Sequence, residues 1–224
     1  MNLTERIKRY ALFLLGLFIL AASVILMIKA TLGTTPLATI PYTVSAILGV
    51  KIGLCTFGMG ATFLLGQILL MRRDFRKEQL LQIPVAFLLG VFQNIWLVIL
   101  DGHLEPAGYV FRFLLMLLAC GVAGLGVALE ITANVVMDAA AALTKDIADK
   151  FHFDFGRTKV CFDAGMVVIA AVISLAALHT TTGIREGTLV GAFLAGIIAG
   201  YLRKKFVFMN RFLTSGERGE QPER

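Results

Sequence analysis

Two opposite charges four residues apart are the first candidates for chemistry in this sequence. Lys159 and Asp163 lie in 156-GRTKVCFDAG-165, where their spacing puts them on one face of a helix and allows them to pair. Asp163 should lie a turn or more inside a membrane, where a carboxylate is costly and is a functional candidate. We predict that both bind substrate and that the neighbouring Arg157 acts in gating or ion coupling. A neutralised pair that only fixes helix packing is the alternative.

A second group of candidates lies in 130-EITANVVMDAAAALTKDIADK-150. Asp138 precedes a run of alanines, so it is predicted to cap a short helix and is a candidate for binding a solute as well. Asn134, four residues earlier, is grouped with it as a substrate-binding residue. Glu130 lies near the end of an apolar run and is predicted to act in gating or ion coupling. Its alternative is to extend towards the membrane surface.

The third candidate segment, 28-IKATLGTTPLATIPY-42, is too polar to continue a membrane helix and too apolar for an exposed loop. Gly33 permits a turn. Pro36 is a favourable first residue of a helix, with Thr34 or Thr35 as the N-cap. Such a helix would direct free backbone N–H groups and the positive end of its dipole towards a solute. Thr34, Thr35 and Pro36 are therefore predicted to bind substrate, unless they only cap an interfacial helix.

Asn94, Arg185 and Glu186 complete the candidate set. Asn94 follows Gln93 deep inside an apolar run and is predicted to bind substrate, although a hydrogen bond between helices is the alternative. Arg185 and Glu186 lie in 183-GIREGTLVGAF-193 and form either a surface pair or an outer gate. The sequence contains no HExxH, GxSxG, P-loop or CxxC motif, so we expect neither an enzyme, nor a metal site, nor a cofactor.

The elements that position these residues are predicted to be membrane helices. The chain of 224 residues is 58% hydrophobic and only 16% charged, and its mean hydropathy is +0.81. A soluble domain is nearer about half apolar and a quarter charged, so the composition indicates a single membrane domain over residues 1–224. The net charge of +6 is held in clusters between apolar runs. That pattern orients a protein in a lipid bilayer and requires no nucleic-acid partner.

Six apolar runs are long enough to cross a membrane, because a span needs roughly 20 apolar residues. Segments 36–49 and 136–150 are shorter and are predicted to be re-entrant or interfacial helices, with Pro41 and Gly49 limiting the first. The predicted fold class is an all-α integral membrane protein with six transmembrane helices and two short helices. The six runs cover about 9–29, 53–71, 81–100, 109–130, 158–178 and 187–203.

Basic residues orient these spans in the membrane. Clusters of Lys and Arg precede the first run, follow the second, surround the start of the fifth and follow the sixth. The positive-inside rule puts all four clusters in the cytoplasm, together with both termini and the tail 206–224. Segment 36–49 must then begin and end at the outer face, and segment 136–150 at the cytoplasmic face. An eight-span chain is rejected because it would put 72-RRDFRK-77 outside.

An internal repeat with inverted topology is also predicted. A shift of 103 residues brings Arg9 onto Arg112, and a shift of 106 brings 86-AFLLG-90 onto 192-AFLAG-196. Each half has three spans and one short segment. Because three is an odd number, the second half starts on the opposite side of the membrane and is inverted relative to the first. Inverted repeats with broken helices are a recurrent transporter architecture, with substrate sites at the repeat interface. The repeats cover about 6–102 and about 109–205.

Over residues 8–205 or so, the chain resembles the YczE/YyaS/YitT-type bacterial membrane proteins. The most specific parts are the LGxxP turn, the stretch from Lys159 to Asp163, and the REGT motif. The resemblance implies a small polytopic protein of the bacterial cytoplasmic membrane, and it indicates architecture more than activity. The chain departs from such relatives at 136-VMDAAAA-142 and at Gln93-Asn94. The similar pieces are 30-ATLGTTPLATIPYTVS-45, 79-QLLQIPVAFLLGVF-92, 156-GRTKVCFDAGMVVIAAVIS-174 and 183-GIREGTLVGAFLAG-196.

The function predicted from these features is secondary transport of a small polar or anionic solute. The solute should bind between Thr34-Thr35 and the side that carries Asp138 and Asp163. A passive channel is one alternative, and a non-transporting solute-binding or accessory membrane subunit is another. The expected partners are the lipid bilayer and a small-molecule or ion substrate. A homodimer is an option because 192-AFLAGIIAG-200 could pack closely.

Overall fold

The structure is a computed structural model. It describes residues 3–72, 75, 77–102, 104, 108–180 and 183–205, and every regular element among them is helical. The predicted tail 206–224 and two arginines of the basic loop, Arg73 and Arg76, lie outside the described residues. A short 3-10 helix, Lys77–Leu81, precedes the fourth α-helix. The α-helices are α1 (Leu3–Ala30), α2 (Pro36–Leu48), α3 (Ile52–Met71), α4 (Gln82–Leu100), α5 (Tyr109–Ala133), α6 (Ala139–Phe151), α7 (Phe155–Leu178) and α8 (Glu186–Lys205).

Five of the described helices are long and apolar enough to cross a membrane, namely α1, α3, α4, α5 and α7. The all-helical prediction is confirmed, and the chain has the composition and helix lengths of a multi-pass membrane protein. The sixth predicted span, 187–203, is helical as part of α8. It is not among the five, and the apolar part of α8 that the structure describes is Glu186–Ala199.

The two short helices begin on residues that local capping rules favour, and α2 also ends on one. Helix α2 has Thr35 as its N-cap and Gly49 as a left-handed C-cap, and α6 has Asp138 as its N-cap. The prediction that Pro41 limits α2 is wrong, because the helix continues through this residue to Leu48. A proline at this position removes a single N–H donor to the carbonyl of Leu37, and the other helical bonds remain.

Helices α1 and α5 form an antiparallel pair at the centre of the fold. Arg9, near the start of α1, donates a hydrogen bond from Nη1 to the carbonyl oxygen of Ala133, the last residue of α5, at 3.3 Å. The backbones approach closely at two glycines, since a Cβ built on Gly16 would lie 3.0 Å from the carbonyl oxygen of Gly126. The C-terminal ends of α1 and α5 therefore lie at opposite ends of the bundle.

The remaining helices pack around this pair. Helix α4 packs on α3 and on α1, where Trp96 Nε1 donates to the carbonyl oxygen of Phe18 at 3.1 Å, and α8 packs on α5. Helix α2 packs on α7, and α6 packs on α3. Helices that are distant in the sequence are therefore neighbours in the bundle.

A buried apolar cluster joins the early residues of both short helices. Ile40 of α2 and Ala139 and Ala140 of α6 pack together with side chains from α3 and α7. Ile184, in the connection between α7 and α8, packs against the same cluster. We call this group the central apolar cluster, defined by Ile40, Phe63, Ala139, Ala140, Met166 and Ala170.

Candidate functional site

The connection that precedes α2 is hydrogen-bonded to the connection that precedes α8. The backbone N–H of Thr34 donates to the carbonyl oxygen of Gly183 at 2.9 Å and to Oγ1 of Thr188 at 3.3 Å. The Thr34 hydroxyl donates to the same carbonyl at 3.3 Å, and its side chain is buried. We call residues 31–35 and 183–188 together the loop junction. Sequence reasoning identified Thr34 but not Thr188, its partner 154 residues along the chain.

Arg185 and Glu186 lie at this loop junction. Arg185 Nη1 donates to the carbonyl oxygen of Thr31 at 3.2 Å, and its Nε lies 3.7 Å from Oε2 of Glu186. The N–H of Gly187 donates to the carbonyl oxygen of Leu32 at 2.8 Å. The structure therefore brings predicted site residues from distant parts of the sequence together, with Arg185 half-exposed beside Thr34.

A small cavity of about 90 Å³ lies at the loop junction. Its walls need glycine, because a Cβ on Gly33 would lie 2.5 Å from Thr188 Oγ1 and one on Gly183 would lie 2.5 Å from Tyr42 Cδ1. Burial raises the pKa of the Tyr42 phenol, so it stays a neutral hydrogen-bond donor at physiological pH. Thr35 and Pro36 follow directly as N-cap and first residue of α2. The lining residues are Ile28, Thr31, Gly33, Thr34, Tyr42, Gly183 and Arg185.

Four predicted site residues lie at the opposite end of the bundle, and we call Glu130, Asp138, Lys159 and Asp163 the charge cluster. Lys159 and Asp163 form the predicted ion pair. Glu130 lies near the end of α5, Asp138 precedes the start of α6, and Lys159 and Asp163 lie in the first turns of α7.

Asp138 is the predicted N-cap of α6. Its Oδ2 accepts hydrogen bonds from the backbone N–H groups of Ala140 at 3.0 Å and Ala141 at 3.4 Å. The side chain is accessible at the surface, yet the surrounding protein raises the pKa of the Asp138 carboxyl. The N–H donors and the charge of Lys159 act in the opposite direction.

Asn134 and Arg157 flank the charge cluster. Asn134 ends α5 in the left-handed conformation, with a φ of 49°, and its N–H donates to the carbonyl oxygen of Glu130 at 3.2 Å. The N–H of Arg157 donates to Oδ1 of Asp154, the N-cap of α7, at 3.0 Å, and the Arg157 side chain is exposed. Both residues therefore have a structural role in ending or starting a helix.

Asn94 holds the start of α3. Its Oδ1 accepts a hydrogen bond from the N–H of Gly53 at 3.1 Å, and the adjacent Gln93 accepts one from the Thr56 hydroxyl at 2.6 Å. The N–H of a residue in the first turn of a helix has no partner within that helix. Asn94 supplies that partner from a neighbouring helix. A hydrogen bond between helices was the alternative to substrate binding that the sequence left open for Asn94.

A buried amide network holds α6, and its partners could not be identified from the sequence. Gln67 Nε2 donates to Gln82 Oε1 at 2.8 Å and to the carbonyl oxygen of Ala139 at 3.1 Å, and Gln82 Nε2 donates back to Gln67 Oε1 at 3.2 Å. Both glutamine side chains are buried. The sequence indicated this network only through Gln67, a polar residue in an apolar run.

Thr188→Val is expected to loosen the loop junction by about 1 kcal/mol. Valine keeps the shape of threonine but removes the hydroxyl that accepts from Thr34 and donates to the carbonyl oxygen of Gly183 at 3.3 Å. Thermal unfolding in detergent measures the loss. The control is Thr62→Val, because the exposed Thr62 hydroxyl bonds only within its own helix, to Gly58. Equal transition temperatures for both variants would contradict the described junction.

Comparison with known proteins adds a family and no activity. A family model described as a family of unknown function, DUF6198, matches residues 7–204. No curated protein and no solved structure matches the chain significantly. Because the matched region includes all of the helices that carry the loop junction and the charge cluster, the chain belongs to the DUF6198 family over nearly its whole length.

Proposed function

We propose that the protein is a secondary transporter of a small polar or anionic solute in the bacterial cytoplasmic membrane. The observation that carries the proposal is the arrangement of α2 and α6. Each of these helices follows a polar connection, and the two connections lie at opposite ends of the antiparallel pair α1 and α5. The early residues of both helices meet in the central apolar cluster. Broken helices that meet at a repeat interface are typical of transporter substrate sites.

The positions of helix ends support two inverted repeats of three spans each. At a shift of 103 residues, every boundary from the end of α1 to the start of α3 recurs between α5 and α7. The conformations recur as well, since φ is 58° at Thr31 and 49° at Asn134, and 66° at Gly49 and 57° at His152. The matching bounds are Ala30 and Ala133, Pro36–Leu48 and Ala139–Phe151, and Ile52 and Phe155.

The central apolar cluster is the proposed barrier between the two polar ends. On one side, Ile184 and Leu37 adjoin both the cluster and the loop junction. On the other side, Ala139 belongs to the cluster and directly follows Asp138. A polar solute can cross only if the side chains of this apolar layer move apart. Movement of one repeat against the other would separate them, as alternating access requires.

An anionic solute suits the loop junction. Arg185 contributes a positive charge to the cavity, and the first residues of α2 contribute the positive end of a helix dipole. At the other end, Lys159 is the basic member of the charge cluster. Because Asp163 neutralises Lys159, the preference for an anion rests on the loop junction.

Transport in proteoliposomes tests the proposal, with chloride, acetate and inorganic phosphate as the probes. We expect one of these anions to accumulate against its gradient when a proton or sodium gradient is imposed. Arg185→Gln and Asp163→Asn should each lower the rate at least tenfold, whereas the exposed Arg6→Gln should not.

Three outcomes of this assay would contradict the proposal. Flux that ignores both cation gradients would favour the channel. The absence of flux for all probes, together with stable co-purification of another subunit, would favour the accessory role. Flux that is unchanged in Asp163→Asn and Asp138→Asn would refute the assignment of the site.

A further inference from the structure

We propose that the cavity at the loop junction binds a small carboxylate, such as acetate or propionate, and that the Glu186 side chain competes with this ligand for Arg185. Such a carboxylate would be the substrate of the transporter, so the inference rests on the proposed function where flux is concerned. Binding and flux have separate readouts in the experiments below.

Arg185 places a positive charge at the cavity. Its Nη1 donates to the carbonyl oxygen of Thr31 at 3.2 Å, and both residues line the cavity. Its backbone N–H donates to Oγ1 of Thr188 at 3.4 Å, so the main chain is held as well. A guanidinium stays charged at physiological pH, and its planar fork of N–H groups matches the two oxygens of a carboxylate. Among the described residues that line the cavity, Arg185 is the only one with a charge.

The carboxylate of Glu186 is a weak partner for this guanidinium. Arg185 Nε lies 3.7 Å from Glu186 Oε2, which exceeds the roughly 3.2 Å of an ordinary N–H···O hydrogen bond. Both side chains are half-exposed, and an ion pair in contact with solvent contributes little because water and salt screen it. A ligand that forms hydrogen bonds with the guanidinium can therefore replace Glu186.

Glu186 remains stabilised after such a replacement. It is the first residue of α8, where the positive end of the helix dipole and N–H groups without helical partners favour a negative charge. Its side chain is also half in contact with solvent. The cost of releasing Glu186 from Arg185 is therefore low, and the ligand has to exceed only a weak internal competitor.

The dimensions of the cavity favour a ligand of a few atoms. Its volume of about 90 Å³ is the space of roughly three water molecules. The loops around it are already in close contact, since a Cβ on Gly33 would lie 2.5 Å from Thr188 Oγ1 and one on Gly183 would lie 2.5 Å from Tyr42 Cδ1. A carboxylate with a short alkyl group fits this space, and a sugar phosphate or a nucleotide is too large.

The walls of the cavity favour a carboxylate over other small anions. Ile28 and the ring of Tyr42 are apolar parts of the wall, and the Thr34 hydroxyl is already bonded to the carbonyl oxygen of Gly183. An alkyl group gains by contact with Ile28, whereas phosphate would leave polar oxygens there without partners. Chloride has no second atom for the guanidinium fork and no apolar part.

A second ion pair at this end of the bundle supplies matched control variants. Lys29, in the last turn of α1, donates from Nζ to Oδ1 of Asp101 at 3.1 Å. Neither residue is part of the cavity wall. Lys29→Gln removes the same charge as Arg185→Gln. Asp101→Asn removes the same charge as Glu186→Gln.

Equilibrium binding of radiolabelled acetate to the full chain in detergent tests the site without any flux. The wild-type protein should bind acetate saturably at neutral pH, and unlabelled propionate should displace it. Acetamide, which has the shape of acetate without its charge, should not displace it at the same concentration, and neither should chloride or inorganic phosphate. Displacement by any of these three as strong as that by propionate, or no saturable binding, would overturn the carboxylate site.

Two substitutions with opposite expected effects test the competition. Arg185→Gln should weaken acetate binding about tenfold or more, because charge-assisted hydrogen bonds are lost. Glu186→Gln should strengthen acetate binding by about threefold, because the half-exposed ion pair no longer has to be broken. Misfolding does not strengthen binding, so the second result is informative even if Arg185→Gln fails to fold.

The control variants Lys29→Gln and Asp101→Asn should leave the affinity for acetate unchanged. Unchanged binding in Arg185→Gln would overturn the site. Unchanged or weaker binding in Glu186→Gln, or equal strengthening in Asp101→Asn, would overturn the competition.

Ile28→Val tests whether the ligand lies in the cavity. Valine is smaller than isoleucine by one methylene group, so the apolar wall recedes and a longer alkyl group fits. Displacement of acetate by butyrate should improve by about fourfold relative to displacement by propionate, which is the value of one buried methylene group. An unchanged ratio would place the ligand outside the cavity and overturn the proposal.

Flux tests the link with transport. In the proteoliposome assay acetate should accumulate, whereas chloride and inorganic phosphate should not, and protein-free vesicles correct for acetic acid that crosses the lipid unaided. Accumulation of chloride or phosphate without acetate would overturn the carboxylate as the substrate and support transport itself. Saturable acetate binding in a protein that transports none of the three anions would count against the proposed transport function and support the carboxylate site.

Discussion

Gly53→Ala is expected to destabilise the protein by roughly 3 kcal/mol or more, at the upper end of what overpacking costs. Helices α3 and α4 touch backbone to backbone at this residue. A Cβ on Gly53 would lie 2.0 Å from the carbonyl oxygen of Gly90 and 2.6 Å from Nδ2 of Asn94. The contact is reciprocal, because a Cβ on Gly90 would lie 2.3 Å from the carbonyl oxygen of Gly53. A backbone atom cannot move aside as a flexible side chain can, so the helices must separate.

Thermal unfolding of the purified protein in detergent measures this loss, and α3 supplies its own control. A Cβ on Gly58 would meet no atom within 4 Å. Gly58→Ala should therefore leave the transition temperature unchanged or raise it slightly, because alanine favours a helix over glycine by up to about 1 kcal/mol. If Gly53→Ala unfolds at the same temperature as Gly58→Ala, α3 and α4 do not pack as described.

Helix positions followed from the sequence because their causes are local. The length of an apolar run sets the length of a helix that crosses a bilayer. Pro36 and Asp138 mark the starts of α2 and α6 because a first-turn proline and an N-cap carboxylate act within a few residues. The ion pair of Lys159 with Asp163 was predictable for the same reason, since both lie on one helical face.

Partners that are distant in sequence could not be predicted in this way. Thr34 was a candidate because it precedes a proline, but nothing near it indicates Thr188 or the carbonyl of Gly183 as partners. The contact of Gly53 with Gly90 is equally hidden, because either glycine alone is consistent with a turn, a kink or a close approach. Such pairings depend on how the helices pack, which a single sequence does not specify.

Polar residues inside apolar runs showed where a hydrogen bond was needed and not which partner made it. Asn94 was predicted to bind substrate, and its Oδ1 accepts from the N–H of Gly53. A solute and a helix start offer an amide the same interaction, so residue type alone cannot distinguish them. Gln67 is a second case, with Gln82 and the carbonyl of Ala139 as its partners.

Gln67→Leu is expected to destabilise the protein by about 2 kcal/mol. Leucine removes the donor to Ala139 and both bonds to Gln82, and it leaves the buried amide of Gln82 without its partner. A single interhelical hydrogen bond in a membrane protein is worth about 0.6 kcal/mol on average. The larger value expected here comes from the unpaired amide group that stays buried.

The double variant Gln67→Leu with Gln82→Leu separates that cost from the value of the bonds. Replacing both partners with apolar groups removes the unpaired amide, so the double variant should be more stable than Gln67→Leu alone. The carbonyl of Ala139 keeps its ordinary acceptor role in the first turn of α6. Unfolding free energies of the wild type, both single variants and the double variant give the coupling directly. If the two substitutions add instead, the amides do not pair, and α6 is held by its apolar contacts alone.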